Sequence, residues 1–182
     1  MLYPLFLLLA AIEMLAELRI SIRNSTRLSK KGAIEIDPWI LPLMAFLYVL
    51  MFVGSLLEYL LIPKAISLVW ALLFGGLFLL AKSLKFWAVA ALGPFWTMKL
   101  LVLPGSSVVT AGPYRWIRHP NYSAVLLEIA GITLLGKSYL TFCVVFLSFS
   151  IILYHRIRSE EDALRKHTDY ADQLVSKGRF LP

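Results

Sequence analysis

Hydrophobic residues fall in long, nearly unbroken runs separated by short polar connectors, a pattern that predicts helices crossing a membrane. The runs cover roughly 2–22, 38–62, 65–92, 120–136 and 138–157. Each is close to the ~20 residues that cross a ~30 Å hydrocarbon layer as helix. The fourth is the shortest, and 65–92 is long enough to run past the membrane surface. Beyond Tyr154 the pattern narrows to one apolar stripe: Ala163, Leu164, His167, Tyr170, Ala171, Leu174 and Val175 recur at steps of three and four. That spacing predicts an amphipathic surface helix continuing from the last span. Glu161 with Arg165 and Asp162 with Lys166 are acid-before-base pairs four apart, and Gly178 and Pro182 mark the helix end. The expected fold is all-α: a single polytopic membrane domain over 1–182, with about five transmembrane helices and a C-terminal amphipathic helix. The run Met1–Leu18 has no basic flank and no small-residue cleavage site, so it reads as a retained span and not a signal peptide.

Composition agrees with membrane residence. Apolar residues make up 59% of the chain, charged residues 16%, and the mean hydropathy is +0.76. This leaves too little polar sequence for a separate water-soluble domain. The net charge of +7 raises nucleic acid as a partner, but the positions of the charges point elsewhere. Lysine and arginine gather in the 19–31 connector, the 82–118 connector and the tail, while only Lys64 and Lys137 fall in the two opposite connectors. Because cytoplasmic loops retain basic residues, five alternating spans with the N-terminus outside satisfy the charge bias, and no nucleic acid is needed to explain it. The partner is the lipid bilayer. Cys143 is the only cysteine, which excludes an intrachain disulfide and a cysteine metal cage, and no metal set is expected.

Against this apolar background, "GPYRWIRHPNY" at 112–122 concentrates aromatic, cationic and rigid residues. A plain reading is a proline-stiffened loop with interfacial aromatics and snorkelling arginines. The functional reading is a binding surface: Pro113 and Pro120 restrict the backbone, Pro120 suits the first turn of the fourth span, and His119 stands at the cap position. Arg156 and Glu160 are four apart, so both project from one helical face where the last span leaves the membrane. They form either a surface ion pair or a divided site, Glu160 holding something cationic or hydroxylated and Arg156 gripping an anion.

The run "VVTAGPYRWIRHPNY", followed about forty residues on by "RIRSEEDALRKHTDY" and a terminal "RFLP", resembles the isoprenylcysteine carboxyl methyltransferase family of integral membrane enzymes. The likeness covers roughly 92–182. The stretches "ALGPFWTMKLLVLPG" and "RHPNYSAVLLE" are closer to a bacterial branch whose acceptors include alkylpyrones. The resemblance implies S-adenosylmethionine as cofactor, a lipophilic or prenylated small molecule as acceptor, N-terminal spans over 1–92 and a cofactor-binding and catalytic part over 93–182. It implies a cofactor pocket lined by Val108 and Val109 of a strand-like segment, by Tyr114, by His119, Pro120, Asn121 and Tyr122, and by Glu160. It places Arg156 toward the acceptor and Arg118 in the same polar cluster. Lys99 stands where these methyltransferases tend to carry a neutral polar residue, and the family's second tail tyrosine is replaced near Gln173; both departures bear on acceptor identity.

Methyl transfer suits this inventory. A carboxylate or an acidic enol is already an anion near neutral pH and needs no general base, so Arg118 or Arg156 serves as the catalytic anion clamp, and a phospholipid amine would make poor use of two arginines. Ionisable groups within spans are functional candidates by default. Glu128, near the motif, is the candidate acceptor-binding carboxylate, with pairing to a neighbouring helix as the alternative; Glu13 and Glu17 read as structural, and Glu58 lies late in the second span. Gly75 and Gly76 are expected to permit close helix packing. Trp96 and Trp116 are the tryptophans that could touch a ligand. The rival classes are a small transporter or channel subunit, for which five spans and no pair of interrupted helices fit poorly, and a noncatalytic scaffold.

Overall fold

A computed structural model of the chain describes residues 2–62, 64–170, 173 and 178–180. Ala171, Leu174, Val175, Lys177, Leu181 and Pro182 of the expected tail pattern lie outside the described residues. Among the described residues five α-helices account for nearly all of the regular structure: α1 (Leu2–Lys30), α2 (Ile40–Leu61), α3 (Leu68–Leu92), α4 (Pro120–Leu135) and α5 (Tyr139–His167). The stretches Ile40–Leu61, Leu68–Phe95 and Tyr139–His167 are each long and apolar enough to cross a membrane. α4, with 16 residues, is about 24 Å long at 1.5 Å per residue. The chain is an all-α membrane protein whose leucine, isoleucine and phenylalanine side chains cover the outside of the bundle, among them Leu8, Phe46, Leu72, Leu79, Leu147 and Ile151.

Local chemistry sets the helix ends. The Ser67 hydroxyl accepts from the Trp70 backbone amide at 3.2 Å and caps α3. At the other end Gly93 takes a positive φ of 52° and turns the chain. Pro120 opens α4, where its missing amide costs nothing, with His119 at the cap position. The His119 ring does not cap the helix; it turns outward to a partner described below. Two helices outrun their apolar segments. α1 continues through Lys30 with Arg19, Arg23 and Arg27 still helical, and α5 carries "RIRSEEDALRKH" without a break beyond its apolar part. A two-residue antiparallel pair, β1 (Ile34–Glu35) with β2 (Leu101–Val102), ties the α1–α2 connector to the long α3–α4 connector. Val108 and Val109 lie outside any helix or strand, and the short strand of this connector is β2.

Both short connectors meet at one end of the bundle, where Lys64 Nζ donates to the Lys137 carbonyl at 2.8 Å and Lys137 Nζ donates to the Ala65 carbonyl at 2.6 Å. The longer, charged connectors gather at the other end. Between the ends, Met51, Ile129, Ile132, Phe149 and Leu153 fill the core.

α3 and α4 make the closest helix pair, and the reason is one glycine. A Cβ added at Gly131 would stand 2.9 Å from the Phe78 Cβ and 3.0 Å from its backbone nitrogen. Gly75 and Gly76 face open space, with nothing within 4 Å of a Cβ added at either. The expected packing role therefore belongs to Gly131, because close approach depends on which face of α3 meets its neighbour. Substituting Gly131→Val should cost about 1–3 kcal/mol through overpacking and lower the thermal midpoint of the detergent-solubilised protein. Gly75→Ala, measured alongside, should be neutral or slightly stabilising.

Candidate active site

Glu161 organises the charged end of the bundle. Its side chain is 2% exposed, one position after Glu160 on α5 and thus turned about 100° around the helix. Arg118 donates to Oε1 from Nη1 at 3.0 Å, and His119 Nε2 stands 3.1 Å from the same oxygen. Arg179 donates from Nε to Oε1 at 3.0 Å and from Nη2 to Oε2 at 2.7 Å. The paired donors from one guanidinium form the bidentate fork that matches a carboxylate. Burial acts to raise the pKa of Glu161, but the His119 and Arg179 bonds and the Arg118 charge outweigh it and hold the carboxyl well below the usual carboxylate range.

The backbone repeats this connection. The Arg118 amide donates to the Gly178 carbonyl at 3.0 Å and the His119 amide to the Arg179 carbonyl at 3.1 Å, beside a parallel bridge between Ile117 and Gly178. One carboxylate on α5 and one stretch of tail therefore fix the 112–119 segment over the end of the bundle. Asp169 reaches further back: its Oδ1 accepts from the Val108 amide at 2.8 Å.

These contacts border a partly open cleft of about 140 Å³. Val108, Val109, Tyr114, Arg118, His119, Asn121, Tyr122, Arg156 and Glu160 line it, with Trp96 at its inner wall. Tyr114 and Tyr122 are both buried, and with Phe95, Trp96 and Tyr170 they put aromatic rings in the wall. Burial, reinforced by the Glu160 charge, pushes the Tyr114 phenol up, so it remains a hydroxyl at neutral pH. Three polar atoms in the cleft residues are sealed from water and lack a hydrogen-bond partner among the described residues, Trp96 Nε1, Arg118 Nε and Asn121 Oδ1.

A second space of about 300 Å³, mostly apolar, lies between α1 and α2. Met14, Leu15 and Leu18 form one side and Leu41, Met44, Ala45 and Val49 the other. The two spaces share Trp96, Thr97, Asn121, Tyr122 and Arg156. At that shared wall the Tyr122 hydroxyl donates to Glu160 Oε2 at 2.5 Å and accepts from Arg156 Nε at 2.8 Å. Arg156 Nη1 also lies 3.5 Å from the Met44 sulfur. Arg156 is 4% exposed, which removes the surface-ion-pair reading: it meets Glu160 through Tyr122, at the joint of a polar and an apolar compartment.

The remaining positions singled out in the sequence fall as follows. Pro120 is buried at the start of α4 and lines neither space. Glu128 also lines neither. It sits in a buried network in which Lys82 meets Glu13, Glu17 at 3.3 Å and Glu128 at 2.5 Å, while Lys85 meets Glu17 at 2.6 Å and Glu128 at 2.9 Å. Glu58 caps the start of α5, accepting from the Thr141 amide at 3.0 Å. Lys99 pairs with Glu35 at 2.8 Å, and Gln173 is exposed. Trp116 is exposed and packs edge-on against Trp87 at 5.4 Å. Arg165 lies 3.7 Å from Glu161 and 3.9 Å from Asp162. Sequence reasoning missed Glu161 and Arg179 as the hub, and Glu17 and Lys85 as groove residues. The signal available was the acidic pair "EE" opposite two basic segments, but it did not say which glutamate turns inward.

Residues 72–166 match the model of the isoprenylcysteine carboxyl methyltransferase family. The match begins inside α3, earlier than residue 92, and so takes in Lys82 and Lys85. The uncharacterized protein YpbQ of Bacillus subtilis is 34% identical over 164 residues, covering 90% of this chain and 97% of its own length. An uncharacterized protein of Haemophilus influenzae is 27% identical over 149 residues, covering 81% of this chain and 86% of its own.

If the Glu161 hub holds the cleft together, Glu161→Gln should cost on the order of 3 kcal/mol at neutral pH, as removal of one partner from a buried ion cluster does. The folded pKa lies below the unfolded one, so the carboxylate's contribution is complete above about pH 4.3 and falls away as pH drops toward the folded value. The gap in thermal midpoint between wild type and Glu161→Gln should therefore be widest near pH 7 and narrow steadily below pH ~4.

Proposed function

Because the chain belongs to the isoprenylcysteine carboxyl methyltransferase family, we propose that it is a membrane O-methyltransferase that uses S-adenosylmethionine and acts on a lipophilic anion. The acceptor class is an isoprenylcysteine-type carboxylate or an alkylpyrone-like enol. The observation that carries this reading is the joint itself: a polar cleft and an apolar groove share one wall, and Tyr122 and Arg156 stand in it. A charged, water-soluble donor and a greasy acceptor need such neighbouring compartments.

The residues present suit the cofactor. The buried Asn121 amide oxygen has no partner among the described residues, and a donor group on a bound molecule would satisfy it. Glu160 gives one oxygen to Tyr122 and has a second to offer a cation. Val108, Val109, Tyr114, His119, Asn121, Tyr122 and Glu160 would hold the cofactor, and Pro120 would fix the turn that presents them. When bound, S-adenosylmethionine supplies an electrophilic methyl group on a sulfonium, so the protein's share is alignment and exclusion of water.

Arg156 lines both spaces and orients the acceptor anion at their joint, with Tyr122 holding its guanidinium in place. Arg118 lines the polar cleft alone, and Glu161 balances its charge, so in this reading it steadies the cofactor side and Arg156 is the acceptor clamp. Burial of Arg156 strengthens its attraction for an anion. Methylation neutralises the acceptor, which ends that attraction and releases the product toward lipid. The basic connectors favour an orientation with the polar cleft and the C-terminus on the cytoplasmic side and the N-terminus outside. Transport finds less support, because Glu13, Glu17 and Glu128 are held by Lys82 and Lys85.

Titration calorimetry on the purified protein in detergent should detect S-adenosylmethionine binding, weakened at least about tenfold by Glu160→Ala through loss of a charge-assisted bond. Arg156→Ala should keep that binding yet lower labelled methyl transfer into a lipid extract by on the order of 100-fold. A wild-type protein that binds no cofactor overturns the reading.

A further inference from the structure

The groove face of α2 is Leu41, Met44, Ala45, Tyr48 and Val49, a helical repeat that is apolar except at one position. Tyr48 is half-buried, and its ring packs edge-on against Phe149 of α5 with centroids 4.9 Å apart. Its hydroxyl hydrogen-bonds to no group among the described residues, and it is not sealed inside the protein as the partnerless Asn121 oxygen is. An open hydroxyl in an apolar groove is a hydrogen-bonding group that a purely hydrocarbon occupant would leave unsatisfied.

Its place along the groove is defined by Arg156. Arg156 Nη1 touches the Met44 sulfur, and Tyr48 stands four residues on, one helical turn or about 5.4 Å further along α2. That direction leads away from the polar cleft, into the apolar space. Lys85, which also lines the groove, has its ammonium engaged by Glu17 and Glu128, whereas the Tyr48 hydroxyl is uncommitted.

We propose that Tyr48 forms a second polar subsite, which selects acceptors carrying, besides the oxygen that is methylated, a neutral carbonyl or hydroxyl oxygen deeper in the groove. The proposal rests on the methyl-transfer reading of the same site and narrows it. An acceptor whose head bears two oxygen functions satisfies Arg156 with the anionic one and Tyr48 with the neutral one; the hydroxyl donates to a carbonyl or accepts from an alcohol. A plain fatty acid satisfies only the first. Tyr48 thereby sets which lipids enter, while the alignment of the reacting oxygen stays with Arg156.

The test compares two probes as competitors of labelled methyl transfer into a lipid extract: S-dodecyl-3-thiopropionate, which has a carboxylate alone, and N-acetyl-S-dodecylcysteine, which adds an amide carbonyl a few bonds away. Wild type should be inhibited by the amide-bearing probe at about fivefold to tenfold lower concentration, the worth of one hydrogen bond. Tyr48→Phe keeps the ring against Phe149 and should abolish that difference while cofactor affinity stays constant, which also shows that the variant is folded. Equal inhibition of wild type by both probes overturns the proposal, as does a preference that survives in Tyr48→Phe. Absence of any cofactor-dependent transfer by wild type overturns the enzymatic reading itself, and the subsite falls with it.

Discussion

A carboxylate taken out of water needs cations and donors around it, and this requirement at Glu161 determines how the charged end of the molecule is built. Arg118 and His119 come from the segment before α4, Arg179 comes from the tail, and Glu161 itself rides on the helical extension of α5. Three pieces of chain, distant in sequence, share one pair of oxygens. The cleft is the space they leave over the end of the bundle, so its shape depends on that ion cluster more than on the hydrophobic core beneath it.

Within the bundle, a second buried cluster plays a comparable part. Lys82 and Lys85 on α3 hold Glu13 and Glu17 of α1 and Glu128 of α4. Such charges in an apolar interior are tolerable only together. Their consequence is positional: α1 is drawn against α3 and α4 by ions, and another face of it is left to form one side of the apolar groove against α2. The groove therefore has a greasy lining and a charged backing, which suits an amphiphile that must enter from lipid with its polar head leading.

The sequence made the helices legible because long apolar runs have few other uses, and their bounds came within a few residues for α3, α4 and the start of α5. The end of α1 was hidden, since Arg19, Arg23 and Arg27 read as a connector by charge although their backbone stays helical. Glu160 was legible and Glu161 was not: neighbouring residues on a helix differ by a rotation that only packing fixes. Likewise the two adjacent glycines of α3 invited a packing role, while Gly131 looked ordinary until Phe78 was seen against it. The bridge between Ile117 and Gly178 pairs backbones some sixty residues apart and leaves no periodic trace in either segment. Tyr48 was one aromatic among many in an apolar span, and its groove position depends on the helix it faces.

The central claim is that one wall separates, and connects, the site of the methyl donor and the site of its lipid acceptor. A structure solved with S-adenosylhomocysteine tests it most directly. The account predicts the sulfur at the Tyr122–Arg156 wall, pointing toward the apolar groove, with the amino acid portion beside Glu160. Density for the ligand anywhere that leaves its sulfur facing water, or turned away from that groove, would contradict it.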